Sequence, residues 1–188
     1  MSELRIAMWS GPRNVSTALM RSFGSRPDTL VVDEPFYAAY LARTGLDHPL
    51  REAVLRSQPN DWRDVVTQLL APLPAARPVQ YQKHMTHHML PELGRDWLRQ
   101  VRSAFLIRDP VRVLASYVQK RAEITLEDIG VSQQHAIFQE VSCCSVPSRR
   151  IARTFRTRSS STSRKARSCS ASLRRVSLAG PRAVEPCA

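Results

Sequence analysis

The chain has 188 residues, a length that suits one globular domain with a substantial hydrophobic core. It contains no long apolar segment of the kind that crosses a membrane, and it does not begin with the pattern of a secretion signal. These features predict a cytoplasmic protein without a membrane partner. The net charge of +12 would favour nucleic-acid binding if it were spread over the whole domain.

The positive charge is concentrated near the C-terminus. Residues 1–141 carry 17 Lys and Arg against 15 Asp and Glu, whereas residues 142–188 carry 11 against 1. The second range also holds all four cysteines and 11 serines, and its sequence has neither helical nor strand periodicity. We therefore predict a folded α/β domain over residues 1–141 and a basic, Arg/Ser-rich, disordered tail over residues 142–188.

Three interpretations of the tail are open. It is a basic arm that binds nucleic acid or another anionic surface, a solvated extension without a role, or the product of a shifted reading frame. Phe155 is the one aromatic residue among the basic ones, which weakens a base-stacking role. The cysteine spacing does not fit a zinc site. Nucleic acid is therefore not expected as a partner, except through the tail.

In chain order, the apolar spacing predicts strands that alternate with helices. The predicted strands cover residues 4–10, 29–32, 79–83 and 104–107. The predicted helices cover residues 15–23, part of the segment "DEPFYAAYLA", and residues 48–56, 61–70, 95–102, 111–121 and 132–141. Asp61 is a candidate helix cap, and Pro110 a candidate first helical residue. This alternation predicts an α/β fold with a mainly parallel sheet and flanking helices.

The first candidate site is the junction "SGPRNVST", where a predicted strand ends and a helix begins. At such a junction the free amide groups of the first helical turn and the helix dipole attract an anion. Gly11 permits close backbone approach and Arg13 adds a cation. Ser16 and Thr17 add hydroxyl groups at the helix start. The segment is a phosphate cradle in kind, although it does not match the Walker A motif; the alternative is a simple capped turn.

The second candidate site is "FLIRDPVRVLASYVQKR". Arg108 ends a predicted buried strand, and Ser116 follows eight residues later, about two helical turns along. A guanidinium at a strand's carboxyl end offers a planar fork to a pair of anionic oxygens. The alternative is that Arg108 pairs with Asp109, or with Asp33 and Glu34.

Together these two stretches resemble the sulfotransferase family that uses 3′-phosphoadenosine 5′-phosphosulfate (PAPS). "DEPFY" is similar to the corresponding stretch of bacterial members. The resemblance covers about residues 4–141 and implies a P-loop nucleotide-binding, sulfotransferase-like fold. The family normally continues with another strand and a basic, glycine-containing segment, so the resemblance implies a fold that is incomplete at the C-terminus.

The resemblance implies that PAPS is the co-substrate and that no metal is needed. It places Arg13, Ser16 and Thr17 around the 5′-phosphosulfate, and Arg108 and Ser116 around the 3′-phosphate. The predicted donor-binding residues are Gly11, Pro12, Arg13, Asn14, Ser16, Thr17, Arg108 and Ser116.

The segment "YQKHMTHHML" supplies candidates for the chemistry. Many family members carry a lysine and a histidine after this strand, with the histidine as base. We predict His84 as the base and Lys83 as a contact of the leaving phosphate, with Arg13 as a third catalytic residue. His87, His88 and Glu34 are the alternative bases. If the segment is helical, His84 and His88 share a face, and a zinc pair is a rival hypothesis.

The predicted function is therefore transfer of a sulfuryl group from PAPS to a hydroxyl or amine of a small-molecule acceptor, impaired if the tail is genuine. The alternatives are a non-catalytic nucleic-acid-binding protein that uses the tail, and a P-loop kinase or nucleotide hydrolase that needs magnesium. Trp9, Trp62 and Trp97 are expected in the core.

Overall fold

The structure, a computed structural model, describes residues 2–118 and 126–143. The predicted tail lies outside the described residues from position 144 onward. Within the described ranges, no helix is long and apolar enough to cross a lipid bilayer.

The core of the fold is a four-stranded sheet in which every pair of neighbouring strands is parallel. Its strands are β1 (Leu4–Ser10), β2 (Thr29–Asp33), β3 (Val79–Met85) and β4 (Arg102–Leu106). The strand order is β2-β3-β1-β4, so β1 lies between β3 and β4. The predicted α/β class and parallel sheet are confirmed, with strand ends that shift by two residues at most.

Seven α-helices flank the sheet in the part of the chain that is described. They are α1 (Ser16–Gly24), α2 (Tyr37–Thr44), α3 (Arg51–Ser57), α4 (Trp62–Leu70), α5 (Pro110–Tyr117), α6 (Leu126–Ile129) and α7 (Val131–Cys143). Two short 3-10 turns cover Thr86–His88 and Asp96–Gln100. The predicted helix over 111–121 is observed as α5, and positions 119–121 lie outside the described residues.

The predicted helix over residues 95–102 is wrong. A 3-10 turn covers Asp96–Gln100, and Arg102 already pairs with Ile6 as the first residue of β4. The last residue of the predicted helix therefore belongs to the sheet. The tight turn that is left buries the adjacent residues Trp97 and Leu98 together.

Side-chain caps begin two of the helices, and the sequence predicts the first of these caps, Asp61, and the position of Pro110. The Asp61 carboxylate accepts a hydrogen bond of 2.8 Å from the backbone N–H of Arg63 at the start of α4. Asp109 accepts one of 2.9 Å from the N–H of Val111, and Pro110 is the first residue of α5. Each cap satisfies an amide that the helix itself leaves unpaired.

Apolar residues of the strands pack on both faces of the sheet. On one face, Trp9 of β1 and Phe36 belong to the larger core cluster, together with Trp97. On the other face, Met8 and Tyr81 form a smaller cluster that α1 covers with residues such as Phe23. Because side chains alternate along a strand, neighbouring residues of β1 serve different cores. The expected burial of Trp9 and Trp97 is confirmed.

The junction between α6 and α7 is fixed to the carboxyl ends of the strands. The Gln134 side-chain amide donates to the carbonyl oxygens of Trp9 (3.3 Å) and Leu106 (3.2 Å), which lie on β1 and β4. The Thr86 hydroxyl, just after β3, donates to the Gly130 carbonyl at 2.8 Å. These bonds satisfy carbonyl groups near the strand ends and place α7 beside them.

Replacing Gly130 with alanine is expected to destabilise the domain strongly. Gly130 has φ +65, and a Cβ there would lie 2.5 Å from the Thr86 hydroxyl and 2.9 Å from the His87 amide. Gly45 is a matched control, because it has the same φ and a Cβ there would meet nothing within 4 Å. Gly130→Ala should therefore cost about 1–3 kcal/mol more than Gly45→Ala, which bears the backbone strain alone. Urea unfolding measures both; equal losses would contradict the packing of this junction.

Candidate functional site

The carboxyl ends of all four strands lie at one edge of the sheet, because the strands are parallel. After β1, the chain forms β2 and β3 on one side of β1. It then forms β4, which pairs with β1 on its other side. In open α/β sheets, ligands bind in the crevice that such a reversal opens at the carboxyl edge. The loops after β1 and β4, which carry the two sequence-predicted motifs, border this crevice.

The loop after β1 presents the start of α1 to the crevice. The helix has no side-chain cap, so the amide groups of its first turn are available to an anion. The Asn14 side chain donates to the Gly11 carbonyl at 3.0 Å and closes the loop on itself. Ser16 is buried at the first helical position, whereas Thr17 is exposed. Pro12 is buried within the loop.

Gly11 makes its close approach to the protein's own backbone. A Cβ at this position would lie 2.6 Å from the Ile129 carbonyl oxygen. The missing side chain therefore makes room for the end of α6. The predicted approach of Gly11 to a bound anion stays a prediction, and its observed neighbour is Ile129.

The two predicted phosphate-binding motifs are in direct contact. The Nε of Arg13 donates to the Ser116 hydroxyl at 2.9 Å, although 103 residues separate them. Arg108 Nη1 donates to the Arg13 carbonyl oxygen at 2.5 Å. Parallel pairing of β1 with β4 causes this meeting, since both loops leave the same edge.

The alternative ion pairs of Arg108 are not observed. Asp33 and Glu34 instead bind Lys83, and Asp109 caps α5. Among the described residues, neither Arg13 nor Arg108 forms an ion pair with a carboxylate. Because these guanidinium groups lack a carboxylate partner in the described part of the chain, this edge is a favourable position for an anion.

A mainly apolar pocket of about 340 Å³ opens beside these groups. The loop after β1 and the segment from β4 to α5 form one part of its wall, which includes Gly11, Asn14 and Arg108, and α6 and α7 contribute Ile129, Val131, Gln134, His135 and Phe138. Sequence analysis missed the residues from α6 and α7, because they belong to no motif and only the tertiary fold brings them to the crevice. Gly130, which lies between two helical stretches, was the one local signal of a tight junction there.

On the other half of the edge, Lys83 is enclosed by carboxylates. Its ammonium lies 2.7 Å from Asp33 Oδ1 and 2.6 Å from Glu34 Oε1, and its side chain is only 4% exposed. Burial opposes the positive charge, but the hydrogen bonds to both carboxylates outweigh it and raise the pKa of Lys83 above its ordinary value. The lysine is therefore charged and engaged. Its predicted contact with the leaving phosphate stays a prediction.

His84 lies inside the larger core. It is 2% exposed, its ring stacks on Trp9 with centroids 4.4 Å apart, and a 3.0 Å hydrogen bond joins it to Gln82. Burial lowers its pKa to about 3, so the ring is neutral near pH 7. A neutral, enclosed imidazole of such low basicity is poorly suited to take a proton from an acceptor.

His88 is also buried, between Tyr37 and Tyr40, whose rings stack on it at 5.0 and 4.9 Å. Burial, followed by the charges of neighbouring groups such as His87, lowers its pKa well below the ordinary value. The premise of the zinc hypothesis is wrong, because His84 lies in β3 and His88 in a 3-10 turn. Within residues 2–118 and 126–143, no three potential ligands cluster closely enough to hold a metal.

Comparison with known proteins places the chain in a family. The family described as "Sulfotransferase domain" matches residues 4–172, and the chain belongs to it. The match continues past Val141, where composition predicts the end of the folded domain. Two relatives from Arabidopsis thaliana, named branched-chain-amino-acid aminotransferase-like proteins 2 and 1, are 31% and 33% identical over 142 residues. That alignment covers 76% of this chain and a quarter (25%) of the length of each relative.

His84 should make the domain sensitive to acid. The unfolded chain binds a proton at this histidine near pH 6.5, whereas the folded protein resists protonation until about pH 3. Stability should therefore fall as the pH drops through 6.5 towards 3, by about 2 kcal/mol between pH 7.5 and pH 5 from His84 alone.

Urea unfolding at pH 7.5 and pH 5 tests this. Between these two pH values, the free energy of unfolding should fall by about 2 kcal/mol less in His84→Gln than in the wild-type protein, whatever the stability of the variant at pH 7.5. His135→Gln, which changes an exposed histidine, is the control and should keep the wild-type dependence. An unchanged pH dependence in His84→Gln would show that the ring is protonated in the folded protein.

Proposed function

We propose that this sulfotransferase domain transfers a sulfuryl group from PAPS to a hydroxyl or amine of a small-molecule acceptor. One observation carries the proposal: Arg108, Ser116 and the uncapped start of α1 meet at the carboxyl edge of the sheet, without a described carboxylate on either arginine of the two motifs. Family membership supports sulfuryl transfer over the kinase or hydrolase alternative.

The donor binds through its two anionic groups, each at a separate anion-binding position. The amide groups of the first turn of α1, with Ser16 and Thr17, receive the 5′-phosphosulfate. Arg108 and Ser116 receive the 3′-phosphate. The apolar pocket of about 340 Å³ beside Arg108 is large enough for part of a nucleotide and offers apolar contacts to the base.

The transfer breaks the bond between sulfur and the bridging oxygen of the donor and forms a bond between sulfur and the acceptor oxygen or nitrogen. Negative charge builds up on the bridging oxygen, where oriented amide groups stabilise it. Adenosine 3′,5′-bisphosphate leaves, and the acceptor proton passes to a base. The fixed strand ends supply the in-line geometry.

Glu34 is proposed as the base in place of His84 and His88. It follows β2 at the carboxyl edge, and its side chain is 28% exposed, in contrast to the enclosed His84 and His88. The Lys83 ammonium lies 2.6 Å from the Glu34 carboxylate, and the backbone of Glu34 has φ +46. Lys83 fixes the position of this carboxylate, so that a bound acceptor can place its O–H or N–H group against it.

Calorimetric titration with adenosine 3′,5′-bisphosphate tests the donor site. The wild-type protein should bind it more tightly than ATP, which lacks a 3′-phosphate. Arg108→Ala should weaken binding at least tenfold, because it removes a charge-assisted contact. Arg102→Ala removes an exposed arginine at the opposite end of the same strand and should leave binding unchanged.

The proposed function would be contradicted if the folded wild-type protein bound adenosine 3′,5′-bisphosphate no more tightly than ATP. It would also be contradicted if Arg108→Ala bound the bisphosphate as tightly as the wild-type protein. A requirement for magnesium together with a preference for ATP would favour the kinase or hydrolase alternative.

The proposed base is tested in a sulfation assay with PAPS and any phenol or amine that a panel screen shows to be an acceptor. Glu34→Gln should lower kcat by about 10²–10⁴-fold and leave affinity for adenosine 3′,5′-bisphosphate within about threefold. Asp33→Asn is the matched control, since it removes the other carboxylate on Lys83. Equal losses in the two variants would show that the carboxylates act only through the lysine.

A further inference from the structure

We infer that the guanidinium of Arg13 binds the 3′-phosphate, so that Arg13, Arg108 and Ser116 together recognise this group. The inference rests on the proposed function. It assigns Arg13 differently from the family resemblance, which places this residue at the 5′-phosphosulfate.

The direction of the Arg13 side chain supports this assignment. Although the residue lies in the loop before α1, its Nε reaches Ser116 on α5 at 2.9 Å. The backbone of Arg13 is in the left-handed region, with φ +61. Arg108 donates to the carbonyl oxygen of Arg13 at 2.5 Å and thereby holds the loop in this unusual conformation. The predicted 3′-phosphate ligands therefore already position Arg13.

The hydrogen-bonding capacity that is left over suits a phosphate. The Ser116 oxygen accepts from Arg13, which leaves its own O–H free to donate to an anionic oxygen. A guanidinium carries five N–H donors, and the two terminal nitrogens of Arg13 make no hydrogen bond to another residue within the described ranges. Arg108 likewise has donors beyond its bond to the Arg13 carbonyl.

The charge balance leads to the same conclusion. Asp33 and Glu34 are engaged by Lys83, and Asp109 is engaged by the N–H of Val111. The two arginines thus lack a protein carboxylate, in the part of the chain that is described, while they share a network with one hydroxyl. A doubly charged phosphate monoester provides the missing compensation, and it can accept from several N–H groups at once.

The backbone and the side chain of the loop between β1 and α1 then bind different parts of the donor. Its backbone amides bind the 5′ group, whereas its one cationic side chain distinguishes nucleotides that carry a 3′-phosphate from those that do not. Arg13 is then a specificity-determining residue for the donor.

Titration of two nucleotides, adenosine 3′,5′-bisphosphate and adenosine 5′-monophosphate, tests this inference. The ratio of their dissociation constants reports the contribution of the 3′-phosphate. Arg13→Met should weaken the bisphosphate at least tenfold and change the affinity for the monophosphate by less than about threefold, so the ratio collapses. Thr17→Val, at the 5′ side, is the matched control and should weaken both nucleotides by a similar factor.

Two other results would overturn the inference. If Arg13→Met weakens both nucleotides equally, the residue acts at the 5′ group; if it weakens neither, the residue does not touch the donor. Arg13→Lys, which keeps the charge and loses the planar fork, should give an intermediate ratio and guards against a misfolded variant. If the wild-type protein binds the two nucleotides equally, the proposed function itself is contradicted. If the wild-type protein prefers the bisphosphate and Arg13→Met keeps the same ratio, the inference alone is contradicted.

Discussion

Parallel pairing of β1 with both β3 and β4 is the constraint on which the site depends. In this register, Ser10 at the end of β1 lies opposite Met85 on one side and Leu106 on the other. Every following loop therefore leaves the same edge, and residues more than a hundred positions apart come into hydrogen-bond contact. Without this pairing, the two predicted phosphate-binding motifs would be separate loops, and the proposed nucleotide site would not form.

The edge is divided electrostatically. On the β2–β3 half, Lys83 binds two carboxylates, Asp33 and Glu34, whose side chains are 52% and 28% exposed. On the β1–β4 half, Arg13 and Arg108 lie without a carboxylate partner in the described part of the chain. Under the proposed function, the anionic donor binds the second half and the acceptor loses its proton at the first. Both carboxylates pair with Lys83, and among the described residues neither pairs with Arg13 or Arg108.

Local patterns allowed the strands, the Asp61 cap and the helix start at Pro110 to be predicted, because apolar runs and helix-start signals act over a few residues. The Arg108–Ser116 spacing likewise follows from helical pitch. The failures share a different cause. Residues 95–102 have helical spacing, but pairing of Arg102 with Ile6 takes precedence. The burial of His84 against Trp9, the approach of Ile129 to Gly11 and the pocket wall from α7 all arise from contacts between distant segments. No local pattern encodes such contacts, so the core of a predicted site is easier to foresee than its walls.

A crystal structure of the protein with adenosine 3′,5′-bisphosphate would test the central claim most directly, since it locates both phosphates. The account predicts the 5′-phosphate on the amide groups at the start of α1, and the 3′-phosphate within hydrogen-bond distance of Arg108, Ser116 and the terminal nitrogens of Arg13. A nucleotide bound away from the carboxyl edge of the sheet, or one whose 3′-phosphate contacts none of these residues, would contradict it.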